Sequence, residues 1–137
     1  MKRIVLIILS LLILDSCKKD KNISPAFSAP GYWRGNLSID PTVVVGIVNK
    51  PNGTSRYYLL SRNLDTATAP LKYDGTYTVD KDIFHAEYRF DSTNFTDHLS
   101  LETTRTASNS MEGVIVQYGL SDGTSFAGTY NFDVIKQ

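Results

Sequence analysis

The stretch SFAGTYNFDVI at residues 125–135 alternates between two kinds of side chain along its whole length. One face of an extended chain here would carry Phe126, Gly128, Tyr130, Phe132 and Val134. The other face would carry mainly polar side chains. A period of two is typical of a β-strand that buries one face and leaves the other in water. The stretch therefore predicts a long strand that forms one wall of a core.

The same period of two continues upstream as far as Gly31, and no stretch of eleven residues there shows the spacing of an amphipathic helix. Turn sequences such as Asn52-Gly53 and Asp122-Gly123 separate the alternating stretches. The sequence predicts an all-β domain with strands at 31–40, 42–48, 56–61, 71–79, 84–90, 95–104, 111–118 and 125–135.

Two of these strands contain the same short sequence, Gly-Thr-Tyr. It occurs within DGTYTV at residues 74–79 and within AGTYNF at residues 127–132. In each, a glycine and an aromatic residue two positions later face the same side. Glycine allows a strand to coil sharply and a nearby ring fills the space, as a narrow barrel requires. Eight antiparallel strands joined by short hairpins close most simply as an up-and-down barrel, which has no exposed edges. The alternative is an open β-sandwich, in which the first and last strands would not pair.

A basic start, Met1-Lys2-Arg3, precedes an apolar run at residues 4–14. The run is shorter than the roughly 20 residues of a membrane span and is typical of a secretory signal. The sequence LDSC at residues 14–17, followed by a lysine-rich segment, resembles a bacterial lipoprotein signal. Asp15 is unusual in such a signal, although looser versions resemble those of Bacteroidetes lipoproteins. The alternative is an ordinary secretory signal or an anchor helix in which Cys17 is incidental.

The lipoprotein resemblance implies that residues 1–16 are removed and that Cys17 carries the lipid. It also implies a location in the bacterial cell envelope, anchored to the outer membrane. Cys17 is the only cysteine, so no disulfide can form within the chain. Residues 17–30 are then the lipidated cysteine and a flexible tether, since their charged, Ser- and Pro-containing sequence shows no periodicity. The folded domain is predicted to begin near Gly31 and to span residues 31–137.

The first strand opens with Gly31-Tyr32-Trp33, and this G-x-W sequence resembles the start of lipocalins and other calycins. In that group the tryptophan packs across the closed end of the barrel, under a basic side chain near the end of the last strand. The resemblance gives these structural roles to Trp33 and Lys136. It also implies a small-molecule ligand inside the barrel. The short chain without a disulfide or a C-terminal helix is nearer to compact lipocalin-like lipoproteins of Bacteroidetes than to plasma carriers.

Charge and motifs argue against several other classes of function. The chain has 14 basic and 14 acidic side chains, so no strong field would attract nucleic acid. His85 and His98 are the only histidines, and their spacing to other ligands predicts no metal site. Asp97-His98 and His85-x-Glu87 resemble acid–base pairs, but His85 and Glu87 share one face of a strand, so an exposed charge pair is the favoured interpretation for them. We expect no cofactor and no enzymatic activity, because nucleophile and phosphate-binding motifs are also absent.

Two functions remain open. The barrel binds a small apolar or amphipathic molecule, or it is packed solid and acts as an interaction or inhibitor module for another envelope protein. A carrier must enclose volume inside the barrel, whereas an interaction module need not. Small residues expected to face inward, such as Gly35, Gly46 and Gly128, favour a cavity, and the many rings oppose it. The candidate ligand contacts, each of which would also suit a packed core, are Tyr58, Tyr73, Tyr77, Tyr88 and Tyr130.

Overall fold

Each alternating stretch forms a strand in the computed structural model, which describes residues 27–61 and 65–137. The predicted signal and the predicted lipid site at Cys17 lie outside the described residues. The strands are β1 (Gly31–Leu37), β2 (Asp40–Asn49), β3 (Thr54–Ser61), β4 (Leu71–Asp80), β5 (Ile83–Asp91), β6 (Phe95–Ala107), β7 (Ser110–Ser121) and β8 (Thr124–Lys136). The described part of the chain holds no helix long and apolar enough to cross a membrane.

Every strand pairs antiparallel with the next one in the chain, and β8 pairs with β1 to close the barrel. The closing register runs from Trp33 opposite Lys136 to Leu37 opposite Phe132. The all-β, eight-stranded antiparallel up-and-down barrel predicted from the sequence is confirmed. The β-sandwich alternative is wrong, because its first and last strands would be unpaired edges. All strands and their pairings lie within residues 31–136, so a chain that starts at Ser24 retains the whole barrel.

The predicted inward faces form the core. Along β5, the buried residues Phe84, Ala86 and Tyr88 alternate with exposed neighbours, as a strand with one wet face requires. Gly46 departs from the prediction, because its backbone faces the outside of the barrel. A Cβ atom there would meet the side chains of Leu60 and Tyr32. Gly46 therefore adds no space to the interior.

The two ends of the barrel differ. We call closed end the one that carries the β2–β3, β4–β5 and β6–β7 hairpins, and open end the opposite one. At the closed end Trp33 is fully buried, and its indole Nε1 donates a hydrogen bond to the carbonyl oxygen of Ala29 at 2.8 Å. The Nζ atom of Lys136 lies 5.6 Å from the centre of the indole ring and donates to the carbonyl oxygen of Ser28 at 2.9 Å.

The segment at residues 27–30 is part of this closed end. Ala29 is buried, and the ring of Phe27 packs 5.8 Å from the ring of Trp33, centre to centre. The amide of Asn49 also donates to the carbonyl oxygen of Ala29, at 3.1 Å. Residues 27–30 are thus packed against the barrel, although the folded domain was expected to begin near Gly31. This aperiodic segment covers the closed end.

Candidate functional site

A cavity of about 210 Å³ lies inside the barrel, on the side of the open end. Six aliphatic side chains, three tyrosines and one glutamine line it. They are Leu37, Ile39, Val43, Leu59, Leu99, Ile115, Tyr57, Tyr73, Tyr130 and Gln117. Ile39 is 66% exposed, so the cavity communicates with solvent beside the β1–β2 turn. A cavity with apolar walls and few polar groups is the usual form of a small-molecule site.

A buried carboxylate lies behind one side of this cavity and accepts hydrogen bonds from two of the lining residues. Asp97 on β6 is fully buried, and its Oδ2 atom accepts hydrogen bonds from the Tyr73 hydroxyl and from the Gln117 side-chain amide, both at 2.7 Å. Its Oδ1 atom is the one buried side-chain oxygen or nitrogen within residues 27–61 and 65–137 that has no hydrogen-bond partner. A buried polar atom without a partner is costly and uncommon in folded proteins. Asp97 therefore gives this side of the cavity an uncommon feature, a buried carboxylate oxygen without a hydrogen-bond partner.

Two of the tyrosines that line the cavity, Tyr57 and Tyr73, are held in their neutral form. Burial raises the pKa of Tyr57 well above its ordinary value, and the neighbouring Tyr73, Tyr88 and Asp97 add to the effect. Burial also raises the pKa of Tyr73, and the hydrogen bond to Asp97 acts in the same direction because it uses the hydroxyl proton. Both hydroxyls are thus hydrogen-bond donors at neutral pH.

The structure brings two of the five predicted tyrosines to the cavity, namely Tyr73 and Tyr130. Tyr88 lies deeper, toward the closed end, where its hydroxyl shares a 2.7 Å hydrogen bond with Ser55. The Tyr77 hydroxyl donates to the carbonyl oxygen of Lys50 at 2.8 Å, beside the β2–β3 hairpin. Neither of these two side chains lines the cavity.

Tyr58 points to the outside of the barrel. It packs with Val44, Leu60 and Ala69 in a small outer cluster, separate from the main core. A side chain on the outer face of β3 cannot contact a ligand inside the barrel. The expectation of a ligand contact from Tyr58 is therefore not supported by its position.

Sequence reasoning did not place three polar residues, Tyr57, Asp97 and Gln117, beside a cavity. Tyr57 was overlooked because the doublets in YYLL, residues 57–60, give no alternation that tells the inner tyrosine from the outer one. Its inward position follows from the register, which sets Tyr57 opposite the buried Ile47. Asp97 and Gln117 are each in phase with apolar inward residues on their own strands, and this signal was available.

No protein-family model, curated protein or solved structure matches this chain. The barrel itself, with eight antiparallel strands closed in sequence order, is consistent with a lipocalin-like fold and could accommodate a ligand.

The histidines lie on the outer surface. His85 pairs with Glu102 across β5 and β6, with 3.6 Å between Nδ1 and Oε2. The partner of His85 is therefore Glu102 and not the expected Glu87. His98 stacks on Tyr118, with 5.1 Å between ring centres. The described parts of the chain contain no group of three potential metal ligands.

Proposed function

We propose that this protein is a lipid-anchored envelope lipoprotein whose barrel binds one small apolar or amphipathic molecule. The observation that carries this proposal is the cavity of about 210 Å³, with apolar walls and access to solvent. A barrel packed solid by its own rings would have no such space. Binding, not catalysis, is the proposed role.

The size of the cavity limits the ligand. An enclosed apolar cavity of about 150 Å³ is enough to hold benzene. The space beside Ile115 and Leu99 therefore suits a molecule of about that size with a short substituent, or the end of one alkyl chain. Larger ligands would have to extend past Ile39 into solvent. This upper bound makes a bulky cofactor such as haem an unsuitable occupant.

The proposed anchor is compatible with this binding role. Phe27, the first residue that the structure describes, packs on Trp33 at the closed end. The cavity communicates with solvent at the opposite side, so a tether at the closed end leaves the entrance free.

Metabolic labelling with a palmitate analogue, followed by membrane fractionation, tests the anchor. We expect Cys17→Ala to lose both the label and the membrane fraction, and Ser16→Ala, which keeps a small residue before the cysteine, to retain both. Labelling that is unchanged in Cys17→Ala would contradict the proposed anchor. Separation of inner and outer membranes tests the expected outer-membrane location.

Native mass spectrometry of the chain from Ser24 onward, purified from cells, tests ligand binding. We expect a bound species that organic extraction removes. Ile115→Phe places a larger side chain in the cavity and should abolish this species, whereas Val116→Phe adds the same ring on the outer face of the same strand and should not. A bound species that persists in Ile115→Phe would contradict the proposed site.

One observation favours the alternative role in protein interaction. Val116, Tyr118 and Leu120 form an apolar stripe along the outer face of β7 and are 43%, 47% and 47% exposed. Such stripes can mark contact surfaces between proteins. If the barrel binds no small molecule, a photo-crosslinker at position 118 in intact cells should capture one defined envelope protein. A crosslinker at Glu112, on the same face but outside the stripe, is the control.

A further inference from the structure

The side-chain amide of Gln117, on the polar side of the cavity, has a fixed orientation. Gln117 and Tyr73 both line the cavity, and both donate a hydrogen bond to the same carboxylate oxygen, Oδ2 of Asp97. An ionised carboxylate only accepts hydrogen bonds. The NH₂ group of Gln117 therefore points toward Asp97.

The other end of the Gln117 amide is consequently an acceptor. Its Oε1 atom and the hydroxyl of Tyr57 form no hydrogen bond with the residues that the structure describes, and neither is among the fully buried atoms without a partner. Both atoms therefore retain access to solvent. Since both side chains line the cavity, these two atoms are available to a ligand there.

The acceptor of Gln117 and the donor of Tyr57 favour a ligand that can both donate and accept a hydrogen bond. An acceptor at Gln117 Oε1 needs a ligand with an O–H or N–H group, and the Tyr57 hydroxyl can donate to an oxygen of the same ligand. A hydroxyl group offers both a donor and an acceptor. A carboxylate has no donor for Gln117, and it would lose its hydration beside apolar walls, close to the residues that hold Asp97.

Building on the proposed binding function, we propose that the cavity selects a small neutral alcohol over the carboxylate with the same carbon skeleton. Asp97 is the positioning residue, since it turns the acceptor end of Gln117 away from itself and so sets the specificity. A site built to hydrogen-bond a substrate group rejects analogues that leave its polar atoms unpaired.

Nuclear magnetic resonance titrations of the ¹⁵N-labelled chain from Ser24 onward test this proposal with benzyl alcohol, toluene and benzoate. These compounds share one ring and differ in a single substituent. We expect benzyl alcohol to bind about tenfold more tightly than benzoate at neutral pH, which corresponds to about one buried hydrogen bond. Benzoate binding as tight as benzyl alcohol would overturn the proposal.

Two variants test the residues. Gln117→Leu should keep toluene binding and lower the affinity for benzyl alcohol toward that for toluene, with only the Tyr57 contact left. Asp97→Asn offers both a donor and an acceptor, so the amide of Gln117 is free to reverse, and the preference for alcohol over benzoate should shrink. An unchanged preference in both variants would overturn the assigned roles.

The titrations separate this inference from the function on which it rests. If none of the three compounds binds the unaltered chain, the proposed cavity function fails as well. If toluene and benzyl alcohol bind with equal affinity, the cavity function stands and the proposed ligand class is wrong.

Discussion

The seam between β1 and β8 depends on one glycine. Gly35 pairs with Val134 at the middle of this seam, and a Cβ atom on Gly35 would lie 1.6 Å from the carbonyl oxygen of Asp133. Because real Cβ atoms do not approach other atoms closer than about 3.0 Å, Gly35→Ala must move β1 away from β8 by about 1.4 Å. A shift of that size breaks the adjacent backbone hydrogen bonds, whose normal length is about 2.9 Å.

The expected loss follows from these contacts. About two hydrogen bonds at roughly 1 kcal/mol each, with partial exposure of the core beside Val134, give a decrease of about 3 kcal/mol in the free energy of unfolding. For a domain of this size, that corresponds to about 15 °C in Tm. Small domains are marginally stable, so this is a large part of the total.

Urea unfolding followed by the fluorescence of Trp33, the one tryptophan in the sequence, measures this effect. Gly46→Ala is the matched control, because its Cβ would meet only the ends of two side chains, Leu60 at 3.2 Å and Tyr32 at 3.3 Å, which can shift. We expect it to cost less than about 1 kcal/mol. A Gly35→Ala protein within about 0.5 kcal/mol of the unaltered chain would refute the tight closing seam.

Two further predictions concern stability. Burial raises the pKa values of Tyr57, Tyr73 and Tyr88, so these hydroxyls stay protonated in the folded state while the unfolded chain ionises near pH 10.0. The stabilisation is complete below that pH and should fall above it by about 1.4 kcal/mol per pH unit for each tyrosine, which urea unfolding at about pH 9 and pH 11 would measure; equal stability at the two values would contradict it. A chain that starts at Gly31 leaves the donors of Trp33 and Asn49 without the Ala29 oxygen and should be about 2–4 kcal/mol less stable than a chain that starts at Phe27. Equal stability of these two chains would refute a structural role for residues 27–30.

Alternation was sufficient to predict the strand number and the barrel, because inward residues such as Phe84, Ala86 and Tyr88 occupy every second position between clear turn sequences. It failed where neighbours are chemically alike. The pair Tyr57-Tyr58 offered two equal choices, and only the register with β2 decides that Tyr57 faces inward. The segment from Phe27 to Pro30 has no period of its own, so its packing on the barrel floor depends on contacts distant in sequence.

The candidate cavity was less predictable than the fold. Its existence depends on how side chains from different strands fill one interior, which no single stretch of sequence records. Asp97 shows the limit most clearly. Its phase with Leu99 and Leu101 places it inside the barrel, but its hydrogen bonds to Tyr73 and Gln117 depend on the strand arrangement of the closed barrel.

The barrel encloses an apolar cavity beside Ile115 that communicates with solvent. Xenon enters apolar cavities and shifts the resonances of the methyl groups around it, so methyl spectra recorded under xenon pressure would detect this cavity. We predict shifts confined to the aliphatic residues that line the cavity, which are Leu37, Ile39, Val43, Leu59, Leu99 and Ile115, and their loss in Ile115→Phe but not in Val116→Phe. Unchanged methyl resonances under xenon, or shifts only at outer residues such as Val44 and Leu60, would contradict it.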